Sequence, residues 1–396
     1  MIPVMTCYLP VDVTSLVRVS GSARKDMKIG FTILSCLLLL HLSAGYSAMR
    51  TPVPTAHDDG PYVHYTKDMI HLRRIVTVNG SASLQHDSMR ISDKAGLVLT
   101  VNTDLPGKTF AVRLKARLEN EKPEYRKASR QLVISDIEGN FGAFRKLLLS
   151  AGVIDDRFEW TFGDGHLILC GDFFDRGDQV TELLWLCYSL EDKAIRAGGR
   201  LHFILGNHEI MNLSSDLRYV HPRYLEHAAL MQLGYNTFYD AGSELGRWLR
   251  TKNVAEKIGR NLYAHGGISR LVNLVDWDLP ALNAMARPFY ADTAFIYPDV
   301  RTELVFSDQG PFWFRGYYTG DTTGMAAIID TTCLKFGVER VVTGHTPVAD
   351  TVSSWYGGKL INVDTPHRLG KSEALLLEGG RIYRIDASGK KILFGK

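Results

Sequence analysis

Short apolar runs that stop abruptly at polar or glycine-rich residues recur along this chain. Leu132-Val133-Ile134 leads into Ser135-Asp136-Ile137-Glu138-Gly139-Asn140, and His166-Leu167-Ile168-Leu169 into Cys170-Gly171-Asp172-Phe173-Phe174-Asp175-Arg176-Gly177-Asp178. Phe203-Ile204-Leu205 leads into Gly206-Asn207-His208-Glu209, Leu262-Tyr263-Ala264 into His265-Gly266-Gly267, and Val341-Val342-Thr343 into Gly344-His345. Runs this short, bounded by turn residues, predict buried strands. Residues 141–149, 179–196 and 322–336 show helical spacing, with Asp321 or Thr322 as the expected N-cap of the third. The repeating order of strand, polar loop and helix predicts an α/β domain over 131–396. Residues 212–260 break that rhythm, with a helical 243–250, and read as a cap-like insertion placed to cover a cleft. Further strands are expected at 360–363, 374–377, 381–385 and 391–394, with Gly379-Gly380 and Ser388-Gly389 as hairpin turns.

The chain ahead of residue 131 has a different pattern. Residues 60–130 form a β-rich extension, with strands expected at 75–78, 97–101 and 110–114 and turn signals at Asn79-Gly80 and Pro106-Gly107. Residues 49–59, with Pro52 and Pro54, read as a linker. Residues 1–48 have the layout of a secretory signal peptide: Arg24-Lys25-Asp26-Met27-Lys28, then apolar 29–42, then small residues to Ala48. That apolar run is well short of the roughly 20 residues a membrane span needs. Cleavage near Ala48, translation from Met27, an exported (periplasmic or secreted) product and no stable membrane span after cleavage are the expectations.

At 396 residues and 45% hydrophobic, the chain can bury a large core. Removing residues 1–48 lowers the net charge from +3 to about +1, which leaves no basic field for nucleic acid. Cys170, Cys187 and Cys333 remain, widely spaced and without a CxxC, so neither a disulfide framework nor a zinc knuckle is indicated.

The chemistry lies at the strand ends. Open α/β sheets bind ligands beyond the carboxyl ends of their strands. Carboxylate, amide and imidazole at five such ends make a convergent set of hard and borderline metal ligands, as a two-metal hydrolytic site requires. Singly each has an ordinary reading: Asp136 as a helix cap, Arg176 paired with Asp178, His265 as a core histidine. Five together outweigh those readings.

Gly171-Asp172-Phe173-Phe174-Asp175-Arg176-Gly177 and Gly206-Asn207-His208-Glu209, with the other three junctions in order, resemble the calcineurin-like metallophosphoesterase superfamily. Within it the resemblance is to the phosphoprotein-phosphatase type, and more narrowly to the bacterial Shewanella-like phosphatases; it covers residues 131–366. It implies a metallophosphoesterase fold, a central β-sandwich flanked by helices. It also implies two divalent metal ions, with Asp136 and Asp172 on the first and Asp172, Asn207, His265 and His345 on the second. His208, oriented by Asp175, would protonate the leaving group, and Arg176 and Arg315 would clamp the phosphoryl oxygens. The chain departs from the family at Glu138, where a histidine is usual. A third carboxylate ligand there would favour Mn²⁺ or Mg²⁺ over Zn²⁺ or Fe.

The function expected is a phosphomonoesterase acting on phosphoprotein or small phosphate esters by attack of a metal-bridging hydroxide. A dinucleoside polyphosphate or nucleotide-sugar pyrophosphatase is the competing enzyme, and a catalytically silent binding protein the competing class. Intact His208, Asp175 and both arginines count against the last.

Overall fold

The computed structural model describes residues 58–395. The readings of residues 1–48 as a signal peptide, of Met27 as the start and of residues 49–57 as linker lie outside the described residues. Among those described, no helix is long and apolar enough to cross a membrane.

Two six-stranded mixed sheets pack face to face. The first runs in the order Lys391–Gly395, Arg381–Asp386, Glu373–Glu378, Arg130–Ile134, His166–Cys170, Arg200–Ile204. The second runs Ser353–Trp355, Leu360–Asn362, Arg340–Thr343, Asn261–Ala264, Ala255–Ile258, Glu124–Tyr125. In each, three consecutive strands are mutually parallel: those from Arg130, His166 and Arg200 in the first, and those from Asn261, Arg340 and Leu360 in the second. Parallel strands are covered on both faces, which is why they read as unbroken apolar runs. Val133, Ile168 and Ile204 from one sheet meet Ile258, Val342 and Ile361 from the other in a fully buried layer. Burying each such side chain contributes roughly 1.5–3 kcal/mol. On the outer face of the first sheet, Phe144, Leu147 and Leu148 of the helix Phe141–Ser150 join the larger core.

The segment before residue 131 does not stand apart. Antiparallel strands Asp59–Tyr65, Met69–Val78 and Ser81–Arg90 and the hairpin Val98–Asn102/Thr109–Arg113 precede Glu124–Tyr125, which pairs into the second sheet. The strand from Asp59 lies on the helix Val180–Arg196: Trp185 Nε1 donates to the Pro61 carbonyl at 2.8 Å, and the Tyr62 hydroxyl is hydrogen-bonded to Thr181 Oγ1 at 3.1 Å. Covered by strands on opposite sides, that helix is buried nearly all round from Leu183 to Glu191, and its last turns reach the surface.

Two expectations change here. Residues 212–260 are not one cap: Ala255–Ile258 is a strand of the second sheet, paired on both sides, and the helices Pro222–Leu230 and Glu244–Leu249 reach back to the first strand through His227 to Asp59 (2.6 Å) and Glu244 to the Tyr65 hydroxyl (2.5 Å). The helix expected from 322 begins at Met325 after Gly324. Asp321 caps no helix; its carboxylate accepts the Thr323 amide in a local turn.

Candidate metal centre

The carboxyl ends of the two parallel triplets converge. From the first sheet come Asp136 and Glu138, then Asp172, Asp175 and Arg176, then Asn207 and His208; from the second come His265, His345 and Asp364. A cavity of about 560 Å³ is lined by Asp136, Glu138, Asp172, Arg176, His208, Arg315, His345 and Asp364, among others. The loops reach it by strained backbone. Six of the twelve described non-glycine residues with positive φ are Asp136, Glu138, Asp172, Asp175, Arg176 and His345. Each such conformation costs on the order of 1–3 kcal/mol and persists only where its surroundings enforce it. Close approach sets two glycines: a Cβ on Gly206 would lie 2.3 Å from Asp172 Oδ1, and one on Gly344 2.4 Å from Asp136 Oδ2. The fully buried Glu209 clasps two loops, its carboxylate accepting the amides of Asp172 (2.9 Å), Phe173 (2.7 Å) and Gly206 (2.6 Å).

The donor set suits divalent cations. Asp172, His265 and His345 present ligand atoms within 4.8 Å of one another. His265 Nε2 stands 3.0 Å from Asp172 Oδ2 and 3.1 Å from Asn207 Oδ1. Those separations match the roughly 3 Å edge of a coordination shell with bonds of about 2.1 Å. Each imidazole has its other nitrogen on a backbone carbonyl, His265 Nδ1 on Cys170 (2.8 Å) and His345 Nε2 on Trp313 (3.1 Å). A carbonyl only accepts, so those nitrogens carry hydrogen and the lone pairs face the cavity, as in metal-holding histidines.

The electrostatics also call for positive charge. Burial and the neighbouring Asp364 carboxylate drive the Asp136 carboxyl well above its usual range. Burial opposes ionisation of Asp172 too, but His265 and His208 outweigh it and hold that carboxylate down. Burial depresses His265 while Asp172 more than reverses this, to about 10, so the Nε2 lone pair would otherwise carry a proton, which a bound cation would displace. Several carboxylates in one buried cavity are costly without a compensating cation.

Beside this set, His208 Nδ1 meets Asp175 Oδ2 at 2.5 Å, and Nε2 is 3.8 Å from Asp172 Oδ2. Asp175 is itself held by Asn212 Nδ2 (2.8 Å), whose amide oxygen accepts from the Tyr235 hydroxyl (2.6 Å). Burial works against the His208 imidazolium, but Asp172 and Asp175 raise its pKa above the usual value. Arg315 is exposed and donates to the His345 carbonyl at 2.6 Å. Arg176 is half-buried, its amide held by the Tyr219 carbonyl at 2.9 Å, with Tyr219 also packed near the His208 ring.

The residues expected from the sequence are thus brought to one place. Two partners differ from expectation. Glu138 lies in the cavity with its carboxylate ion-paired to Arg176. Asp178, the ordinary partner considered for Arg176, is instead 3.8 Å from Arg223. Sequence reading missed Asp364, Glu209 and Asn212. The signal for Asp364 is a sixth junction of the same type, Leu360-Ile361-Asn362-Val363 leading into Asp364-Thr365.

Residues 129–349 match the family model of calcineurin-like phosphoesterases. The crystal structure of a cold-active protein-tyrosine phosphatase of a psychrophilic Shewanella species superposes with a TM-score of 0.76 at 34% identity, over 85% of this chain and 99% of that one. Shewanella-like protein phosphatase 2 of Arabidopsis thaliana is 39% identical over 106 residues, 27% of this chain and 26% of that protein. The uncharacterized protein C1840.07c of Schizosaccharomyces pombe is 29% identical over 59% of this chain and 71% of its own length. The converging strand ends, the paired imidazole and carboxylate beside them and these matches lead to one conclusion: the chain is a phosphatase that belongs to the calcineurin-like phosphoesterase family.

Proposed function

We propose that the chain is a two-metal phosphomonoesterase acting on phosphoprotein or small aryl and alkyl phosphate esters. The observation that carries this is the meeting, at one cavity, of Asp136, Asp172 and His345 with His208, Arg176 and Arg315, and of His265 and Asn207 with Asp172 beside it. Two divalent cations held there would supply Lewis acidity toward the phosphoryl oxygens and the attacking water. Arg176 and Arg315 offer guanidinium forks at the mouth, suited to two phosphoryl oxygens each. His208, with Asp175 behind Nδ1, holds a proton at Nε2 for the departing oxygen. The oxygen-rich donors favour Mn²⁺ or Mg²⁺. The related Shewanella protein is described as a protein-tyrosine phosphatase, which makes phosphotyrosine the first substrate to try. Export remains part of the proposal, on the charged, apolar and small-residue order of residues 24–48.

The test is a substrate panel on protein stripped with chelator and reloaded with Mn²⁺. Phosphotyrosine and phosphoserine peptides, p-nitrophenyl phosphate and a dinucleoside polyphosphate are compared by kcat/KM. Faster hydrolysis of the monoesters is expected. Preference for the dinucleotide would replace this reading with the pyrophosphatase one, and no turnover with any metal would favour a silent binding protein.

A further inference from the structure

Three parallel strands of each sheet end at the cavity, and the sixth end carries a carboxylate for which the site as described has no task. Asp364 follows Leu360–Asn362 and is 7% exposed. Its amide donates to Asn362 Oδ1 at 2.9 Å, and Asn362 Nδ2 in turn holds the Thr346 carbonyl at 2.9 Å, so Asn362 ties Asp364 to the loop that carries His345. Its carboxylate faces the cavity beside Asp136 and Asp172. No hydrogen-bond donor or salt-bridge partner reaches it among the described residues; His265, Arg315 and Arg176 act on it only across the cavity, and the Asp172 carboxylate opposes its ionisation. A buried carboxylate left so is costly unless something positive occupies the space it faces. Glu138, the acid one would look to first because it stands in the metal-binding loop, is already ion-paired with Arg176.

We propose that Asp364 holds the first cation together with Asp136 and Asp172, and that Glu138 is a positioning residue that aims Arg176 at the substrate. This rests on the two-cation reading above. The carboxylate count at the first cation stays at three, but the third comes from the second sheet, so the cation ties the two sheets together. Glu138 acts on the phosphoryl group only through Arg176.

The experiment is metal content by mass spectrometry and Mn²⁺ titration by calorimetry on the parent, Asp364→Asn and Glu138→Gln, each stripped first. The parent should bind two Mn²⁺ per chain. Asp364→Asn should keep one and bind the other at least 10-fold more weakly. Glu138→Gln should bind both as the parent does and show a raised KM. Thermal unfolding controls for folding: without metal, Asp364→Asn should melt at or above the parent, having lost carboxylate repulsion, and should gain less on adding Mn²⁺. A parent that binds fewer than two cations overturns the two-cation reading. A parent that binds two, with Asp364→Asn binding both at parental affinity or Glu138→Gln losing one, overturns this proposal alone.

Discussion

At the scale of single residues, the assignment of His208 can be tested by leaving group. Asp175 and Asp172 keep a proton on the imidazole against its burial. His208→Asn should lower kcat by about 10²–10⁴ on alkyl phosphates and much less on p-nitrophenyl phosphate, whose leaving oxygen is a weak base. Steady-state kinetics on the two substrates check this, and equal losses would remove the acid role. The ligand-type residues were legible because each follows an apolar run directly. Asn212 and Glu209 were not, because their work is to hold Asp175 and two loop backbones, and nothing in a sequence marks which amides a carboxylate will meet. Asp364 was less legible because Asn362 interrupts the apolar run before it, so the acid reads as an ordinary polar residue at a strand end.

Among elements, the strands that could be read were those buried on both faces by apolar side chains. Ala255–Ile258 reads as Ala-Glu-Lys-Ile and hid its place in the sheet, because its interior residue is a glutamate. Glu256 is fully buried, accepting from Asn253 Nδ2 at 2.9 Å and bonded to His202 Nδ1 at 2.7 Å. A polar side chain with partners inside the fold looks the same in sequence as one in water. The same holds for residues 115–125, which read as unpatterned yet are tied down by charge. Lys252, 1% exposed, bridges Glu121 at 2.5 Å and also pairs with Glu191, while Lys115 reaches Glu191 at 3.2 Å. Lys252→Met should therefore cost about 3–5 kcal/mol, since it takes the buried cation from the Glu191 carboxylate and the hydrogen-bond donor from Glu121. Urea unfolding measures the loss, and adding Glu191→Gln to the same variant should recover part of it. A loss under about 1 kcal/mol would mean that the network is hydrated and contributes little.

Over the whole molecule, the same network gives stability a pH dependence of definite sign. Burial, only partly offset by Lys252, pushes Glu121 up to about 8, and burial lifts Glu256 to about 7. Unfolded, both groups titrate near 4.3. Between that value and 7–8 the native state therefore binds more protons than the unfolded chain, and unfolding releases them. Their contribution is fully present below about pH 4.3 and is lost as pH rises through 7–8, with a slope approaching 1.4 kcal/mol per pH unit for each group inside the window. Carboxylates elsewhere in the chain superimpose their own slopes, so the informative quantity is a difference. Glutamine mimics the protonated acid at every pH, so Glu121→Gln should lack this term. Its stability relative to the parent, from urea midpoints at pH 5, 6, 7 and 8, should improve steadily as pH rises. A difference that stays flat across the series would mean that Glu121 is ionised in the native state throughout, with Lys252 serving both carboxylates.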